Sequence, residues 1–290
     1  MSSNRQSNNE RLELKARALR AQAEAEETKR RRRKIILVLV AVLVLVIGIV
    51  AAFMLGNSKD DEEAGSATGQ ATSAGILSER GGIVVGASGI LPPPDGQEQW
   101  TTESIQALAS DTTVVVSIYT DYMCPACGLF EQVNSRAIES MVQSGQIILD
   151  LHSLGMLDGV SQGTNYSTRS AAASLYVADN DPEHFLAFNT ALFTSQPKEN
   201  TPGLTDAELA DVARQAGVNE DVAKVIGEGG APQDSIANNT NMAAEDLGRL
   251  ATPTIVLNGT TLDPYTYDWR KAGVFEQAVK DAAAAFTAAE

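Results

Sequence analysis

Hydrophobic and polar positions divide the chain into a polar leader, one long apolar run and a mixed remainder. Residues 1–34 are polar and charged, and they have too few apolar side chains to form a core. Residues 35–55 carry no charge, and as a helix they would extend about 31 Å, enough to cross a bilayer. The pattern predicts a single transmembrane helix over 35–55, because a core helix keeps a polar stripe and a signal peptide has a shorter apolar segment.

The sequence changes in composition after the apolar run and then regains a regular pattern. Residues 56–75 are rich in Gly, Ser, Ala, Thr and acidic residues, which predicts a flexible linker. Runs of β-branched residues predict strands at 83–85, 114–120 and 147–151. Directly after Cys127 the apolar side chains recur at helical spacing, so a helix is expected to follow the second of these strands.

Helical signals dominate from about residue 167 to 248. Asp181 before Pro182 has the pattern of an N-cap followed by a first-turn proline. Thr205 and Glu208 form a capping-box pattern at the start of another helix. This stretch therefore predicts several consecutive helices with no strand between them.

Strand signals return near the end of the chain. Residues 254–257 and 260–262 flank an Asn-Gly turn of the hairpin type, and a final amphipathic helix follows. The order of elements predicts one α/β domain over residues 76–290, interrupted by a helical insertion at about 160–248.

Charge is distributed unevenly along the sequence. The chain has 22 Lys and Arg against 37 Asp and Glu, a net charge of −15, yet residues 29–34 are all basic. Because basic residues stay on the cytoplasmic side of a membrane, we predict a cytoplasmic tail over 1–34 and an extracytoplasmic domain beyond residue 55. The acidic domain argues against nucleic-acid binding, which needs a basic surface.

The chain has two cysteines, Cys124 and Cys127, placed where the predicted strand gives way to the helix. Free N–H groups and the positive end of the helix dipole favour the Cys124 thiolate there, and Pro125 suits the first helical turn. Residues three apart share a helix face, so the second sulfur can reach the first. In an extracytoplasmic domain this spacing predicts a reversible redox dithiol.

Two other uses of a cysteine pair fit the sequence less well. A structural disulfide across four residues would constrain the unfolded chain little. A zinc site needs further ligands, and the two histidines, His152 and His184, lack metal-ligand spacing to the cysteines. We therefore predict no metal and no cofactor. His152 is expected to end a strand, and His184 to pack in the first turn of a helix.

The sequence resembles the DsbA-like thiol–disulfide oxidoreductases, which have a thioredoxin fold, and most closely their membrane-anchored actinobacterial members. The resemblance covers about residues 76–284. It is carried by Asp-Tyr-Met-Cys-Pro-Ala-Cys at 121–127 and by Ala-Thr-Pro-Thr-Ile-Val-Leu-Asn-Gly at 251–259. The resemblance implies a thioredoxin-like domain in which Cys124 is the nucleophile and Cys127 resolves the mixed disulfide.

The same resemblance assigns roles to residues outside the cysteine pair. It implies that Pro253 follows a cis peptide bond beside the disulfide and that Thr252 offers backbone hydrogen bonds to an extended substrate. The sequence also departs from the family pattern. Ile118 stands where related folds often hold a buried acid, and Pro-Ala between the cysteines lacks a histidine. Asp121 is a candidate substitute for that acid, and it fits a loop cap or a solvated carboxylate equally well.

Three functions fit these residues. A membrane-tethered oxidase would donate its disulfide to exported unfolded or reduced proteins and pass its electrons to a membrane partner, most simply a quinone-linked one. A reductase or isomerase would use the same fold in the opposite direction, and a non-enzymatic docking module would only present a peptide groove. The intact cysteine pair disfavours the docking module, and the family resemblance favours the oxidase.

Overall fold

A mixed sheet of six strands forms the centre of the computed structural model, which describes residues 76–289. The strands are β1 Ile83–Gly86, β2 Gly89–Ile90, β3 Val114–Thr120, β4 Ile147–Ser153, β5 Thr254–Leu257 and β6 Thr260–Thr261. They lie in the order β2-β1-β4-β3-β5-β6, with β3 parallel to β4 and the other neighbouring pairs antiparallel. The predicted α/β class and thioredoxin-like fold are confirmed.

Eight α-helices surround the sheet within residues 76–289. They are α1 Thr102–Gln106, α2 Pro125–Gln143, α3 Tyr166–Asn180, α4 Phe185–Thr194, α5 Asp206–Gln215, α6 Glu220–Gly227, α7 Asp234–Leu247 and α8 Val274–Ala289. Short 3₁₀ turns at Asp158–Val160 and Pro182–His184 precede α3 and α4. Helices α3 to α7 all lie between β4 and β5, where the sequence pattern predicts consecutive helices.

The central strand β3 is buried on both faces, which explains its high content of β-branched residues. Val114, Val116 and Ile118 point to one face and pack in the main core with side chains of α2 and α8. Val115 packs on the opposite face with Trp100 and with Ile105 of α1. Because β3 is fixed from both sides, the segment that leaves its end is held in place.

The two helix-start patterns in the sequence have different outcomes. The Thr205 hydroxyl accepts the Glu208 N–H and the Glu208 carboxylate accepts the Thr205 N–H, so the predicted capping box is confirmed. Asp181 is the N-cap residue of the 3₁₀ turn and Pro182 begins it, as predicted, but the Asp181 side chain makes no capping hydrogen bond to the backbone of that turn. Its carboxylate accepts the Asn219 N–H at the start of α6 and pairs with His184.

The membrane-related predictions fall outside the described residues. These are the cytoplasmic tail at 1–34, the transmembrane helix at 35–55 and the linker at 56–75. Among the helices between residues 76 and 289, none combines the length and apolarity that a membrane crossing requires.

Candidate active site

The two cysteines lie at the junction between β3 and α2. Cys124 is the N-cap residue of α2 with an extended backbone, and Pro125 occupies the first turn. Cys127 follows in the same turn, and the two side chains lie 3.4 Å apart. Both thiols are free and buried, with 7% of Cys124 and 1% of Cys127 exposed. The pair can therefore close a disulfide with little movement, and Cys124 is the sulfur nearer to solvent.

The two thiols differ strongly in acidity. A hydrogen bond from the Cys127 thiol lowers the pKa of Cys124 to about 6, in spite of burial. Thr252 and the backbone N–H groups of Ala126 and Cys127 lower this pKa further. Burial raises the pKa of Cys127 well above its usual value, and its hydrogen bond to Cys124 adds to the rise. Near neutral pH Cys124 is therefore largely a thiolate and Cys127 a thiol.

The loop before β5 brings Thr252 and Pro253 to the cysteines. The Thr252–Pro253 peptide bond is cis, so this expectation from the resemblance is confirmed. The Cys124 thiol donates a hydrogen bond to the Thr252 carbonyl oxygen, with 3.3 Å between Sγ and O. Within residues 76–289 the buried Thr252 hydroxyl has no other hydrogen-bond partner, so it is free to donate to the thiolate form of Cys124.

The difference in acidity predicts selective alkylation of the reduced protein. Iodoacetamide should modify Cys124 with a rate that rises through a midpoint near pH 6, while Cys127 stays almost unmodified at neutral pH. The measurement is peptide mass spectrometry of samples quenched over time between pH 4 and 9. Equal rates at the two cysteines, or a Cys124 midpoint near 9, would contradict the assignment.

Asp121 is fully buried, so the interpretation as a solvated carboxylate is wrong. Its Oδ1 accepts the Met123 N–H at 2.8 Å and the Ser167 hydroxyl at 2.7 Å, and its Oδ2 accepts the Leu157 N–H at 2.9 Å. The bond to Met123 is the loop cap that the sequence allowed. Burial raises the pKa of Asp121 to about 6 against these hydrogen bonds, and the charge of Cys124 raises it further.

Tyr122 anchors the active-site segment in the helical block, a role that the sequence pattern does not mark. Its fully buried hydroxyl bonds to Ser153 at 3.1 Å, to Ser174 at 2.8 Å and to Asn189 at 2.9 Å. These partners come from β4, α3 and α4. Three separate elements therefore fix the residue two positions before the nucleophile candidate.

Gln196 holds the same segment from just beyond α4. Its Nε2 donates to the carbonyl oxygens of Tyr122 at 3.1 Å and Cys124 at 2.9 Å. Gly128 accommodates this contact, because a Cβ at that position would lie 2.3 Å from Oε1 of Gln196. The sequence pattern alone does not mark this role, since a glutamine in a loop has no spacing that points to a partner.

Removing the Tyr122 hydroxyl should destabilise the fold. We expect Tyr122→Phe to lower the free energy of unfolding by about 1–3 kcal/mol, because three buried polar partners lose a hydrogen bond. The measurement is urea unfolding of the reduced protein. Tyr265→Phe is the matched control, because Tyr265 is 97% exposed. Equal stability of the two variants would show that the network does not anchor the segment.

Both histidines pair with aspartates. His152 is the second-last residue of β4, its Nε2 lies 2.7 Å from Asp150 Oδ2, and its ring stacks on Tyr119. His184 is half-buried in the 3₁₀ turn before α4, with Nδ1 2.8 Å from Asp181 Oδ1. These pairings give both histidines a structural role.

The sequence matches a protein-family model and part of a known protein kinase. A family model described as thioredoxin matches residues 107–273, which is more than half of the chain. The serine/threonine-protein kinase PknE of Mycobacterium tuberculosis is 36% identical over 143 residues, which are 48% of this chain. The match covers 25% of the kinase, so the chain spans only a quarter of that relative's length.

Solved structures resemble the chain over most of its length. MdbA, a thiol-disulfide oxidoreductase from Corynebacterium diphtheriae, is 23% identical with a TM-score of 0.50, and the match covers 74% of this chain and 100% of that one. At this level of identity the likeness shows the fold. The reduced disulfide bond oxidoreductase DsbG of Mycobacterium tuberculosis is 30% identical with a TM-score of 0.48, covering 71% of this chain and 94% of that one.

Proposed function

Since the chain belongs to the thioredoxin family and has a DsbA-like thioredoxin fold, we propose that Cys124 and Cys127 form a dithiol that exchanges disulfides with other proteins. One observation carries this proposal. The two free thiols lie 3.4 Å apart, and the pKa of Cys124 is lowered to about 6 while that of Cys127 is raised. A pair built this way has one reactive sulfur and one protected sulfur, which disulfide exchange requires.

The exchange proceeds in two steps from the oxidised pair. A substrate thiolate attacks Cys124 Sγ, the bond between the two cysteine sulfurs breaks, and Cys127 leaves with the electron pair and takes a proton. A second substrate thiolate then attacks the substrate sulfur of the mixed disulfide and releases Cys124 as a thiolate. The substrate gains a disulfide and the pair is reduced. The lowered pKa of Cys124 makes it a good leaving group in the second step.

The same stabilised thiolate supports the oxidising direction of exchange. Hydrogen bonds to the Cys124 thiolate favour the reduced pair, and a pair that favours its reduced form passes its disulfide on. We therefore propose an oxidase that donates disulfides to exported unfolded or reduced proteins. Thr252 and Pro253 would hold an extended substrate segment beside Cys124, with Asp121 and Pro125 shaping the loop.

The place of action is proposed from the sequence that precedes the described residues. Basic residues 29–34 before the apolar run 35–55 support a single-pass anchor with the cysteine domain on the extracytoplasmic side. Disulfides form and persist in that compartment. Electrons would leave the reduced pair to a membrane redox partner, most simply a quinone-linked one.

The experiment combines topology with activity. In spheroplasts that express the full chain, added protease should reach the cysteine domain and spare residues 1–34. The oxidised full chain in detergent, mixed with an equimolar reduced and unfolded client, should oxidise that client. Protection of the domain from protease would overturn the proposed location. Failure to oxidise the client, together with ready reduction of a client disulfide by the reduced chain, would replace the oxidase by a reductase.

A further inference from the structure

A cavity of about 830 Å³ lies beside Cys127, between α2 and α4. Ile118 and Thr120 of β3 line it together with Cys127 and Glu131 of α2. Ile118 is apolar and offers no group that could exchange a proton with Cys127, whereas Glu131 brings a carboxyl group to the same cavity from the helix.

Glu131 follows Cys127 by four residues, so the two side chains lie on the same face of α2. Its Oε1 accepts the Thr190 hydroxyl at 2.7 Å and the Asn189 side-chain amide at 3.3 Å. Both bonds go to Oε1, which leaves Oε2 for a water in the cavity. Burial raises the pKa of Glu131 against these two hydrogen bonds, so the carboxyl group keeps its proton to a higher pH than a surface glutamate.

We propose that Glu131 exchanges the proton of Cys127 through water in this cavity. The proposal rests on the proposed disulfide exchange and concerns its first step. When a substrate thiolate attacks Cys124 Sγ, the disulfide breaks and Cys127 leaves with the electron pair. Protonated Glu131 passes its proton to a water, the water passes one to the Cys127 sulfur, and the carboxylate regains a proton from solvent. In the reverse direction the same carboxylate takes the proton from Cys127.

Asp121 is the other buried carboxyl group near the pair, and its geometry fits the role less well. It does not line the cavity, and its two oxygens already accept three hydrogen bonds. The charge of Cys124 acts on the Asp121 carboxyl group. Asp121 contacts Cys127 through a backbone hydrogen bond, whereas Glu131 and Cys127 line the same cavity.

Three further charged side chains line the cavity, and all are exposed. They are Arg136 and Glu139 of α2 and Glu183 of the 3₁₀ turn before α4. Solvent screens their charges, so Glu131 is the cavity carboxyl group whose protonation is set by burial. Glu139 lies on the same helix as Glu131, which makes Glu139→Gln a matched control for loss of one carboxylate.

The test measures reduction of the oxidised full chain by excess dithiothreitol between pH 4.5 and 8.5. Each rate is divided by the thiolate fraction of the reagent, which isolates the response of the protein. The corrected rate of the wild type should fall as Glu131 ionises. Glu131→Gln should lose this inflection and react at least about tenfold more slowly on its acid side, while Glu139→Gln should follow the wild type.

A second variant distinguishes proton exchange from a structural role. Thr190 is exposed, and Thr190→Val removes a hydrogen bond that favours the charged form of Glu131. The inflection should therefore move to higher pH while the rate at low pH is kept. A Glu131→Gln profile that equals the wild type, or that is uniformly slower with unchanged shape, would overturn the proposal. An unmoved inflection in Thr190→Val would overturn it as well.

The outcome is separable from that of the proposed function. Dithiothreitol reduces the pair whether or not the chain oxidises protein clients. If the wild type fails to oxidise a client but shows the Glu131-dependent profile with dithiothreitol, the donor function fails and the proton role holds. If it oxidises the client and Glu131→Gln has the wild-type profile, the donor function holds and the proton role fails.

Discussion

Cys124→Ser is expected to abolish disulfide transfer to a reduced client, a loss of roughly a thousandfold or more, because the sulfur that receives the attack is gone. Cys127→Ser should lose turnover too, but for a different reason. Cys124 keeps its thiolate in that variant and can still attack a client disulfide to form a mixed disulfide, and Cys127 is no longer present to attack it and release the client. Non-reducing electrophoresis of cells that express each variant should show covalent adducts with Cys127→Ser and few with Cys124→Ser.

The two variants control for one another, since each removes one buried sulfur from the same helical turn. Adducts that vanish on reduction identify a disulfide. The opposite pattern, with adducts in Cys124→Ser, would mean that Cys127 is the exposed nucleophile. Unchanged client oxidation in either single variant would show that the pair does not carry the exchange.

Asp121→Asn should change how stability depends on pH. Burial raises the pKa of Asp121 from 3.8 to about 6 in the folded protein, so the folded state holds a proton that the unfolded state releases between these values. The stabilisation from Asp121 is therefore complete below about pH 4 and is lost as pH rises through 6. We expect the wild type to lose about 2–2.5 kcal/mol relative to Asp121→Asn between pH 4 and 7.

The measurement is urea unfolding at pH 4 and pH 7 with both cysteines kept reduced. Subtracting the variant removes contributions that both proteins share, including that of Cys124. Asp211→Asn is the control, because the Asp211 side chain is 65% exposed and its loss should leave the pH dependence nearly unchanged. A wild type that gains stability relative to Asp121→Asn as pH rises would show that the hydrogen bonds to the carboxylate outweigh its burial.

Local patterns in the sequence predicted most of the fold. The β-branched run of β3, the helical spacing after Cys127 and the capping box at Thr205 each involve residues within a few positions of one another. Such signals are complete before the chain folds, so they can be interpreted without tertiary contacts. The cysteine pair was predicted for the same reason, because its spacing and its position before a helix are local.

The errors concern polar residues whose partners are distant in sequence. Asp121 has local features of a loop residue, but two of its donors, Leu157 and Ser167, lie 36 and 46 positions away. Asp181 has the local pattern of a helix cap, yet its carboxylate binds the N–H of Asn219, 38 positions on. No spacing rule links such positions, so their burial became clear only when the elements were assembled.

Glu131 shows the same limit at the site itself. In the sequence it follows the cysteine pair as one of several polar residues on an amphipathic helix, where a solvated position is the natural interpretation. Its partners Asn189 and Thr190 lie 58 and 59 positions away in α4. The helical insertion therefore does more than cover the cysteines, since it also provides the hydrogen bonds to Glu131 in the cavity beside Cys127.

The reduction potential of the Cys124–Cys127 pair tests the central claim most directly. The full chain would be equilibrated with glutathione buffers of known ratio, and the reduced fraction counted by alkylation and mass spectrometry. A disulfide donor with a stabilised Cys124 thiolate should have a potential less negative than about −230 mV. A value near about −270 mV or lower, where a reductant such as thioredoxin lies, would contradict the account of this protein as an oxidase.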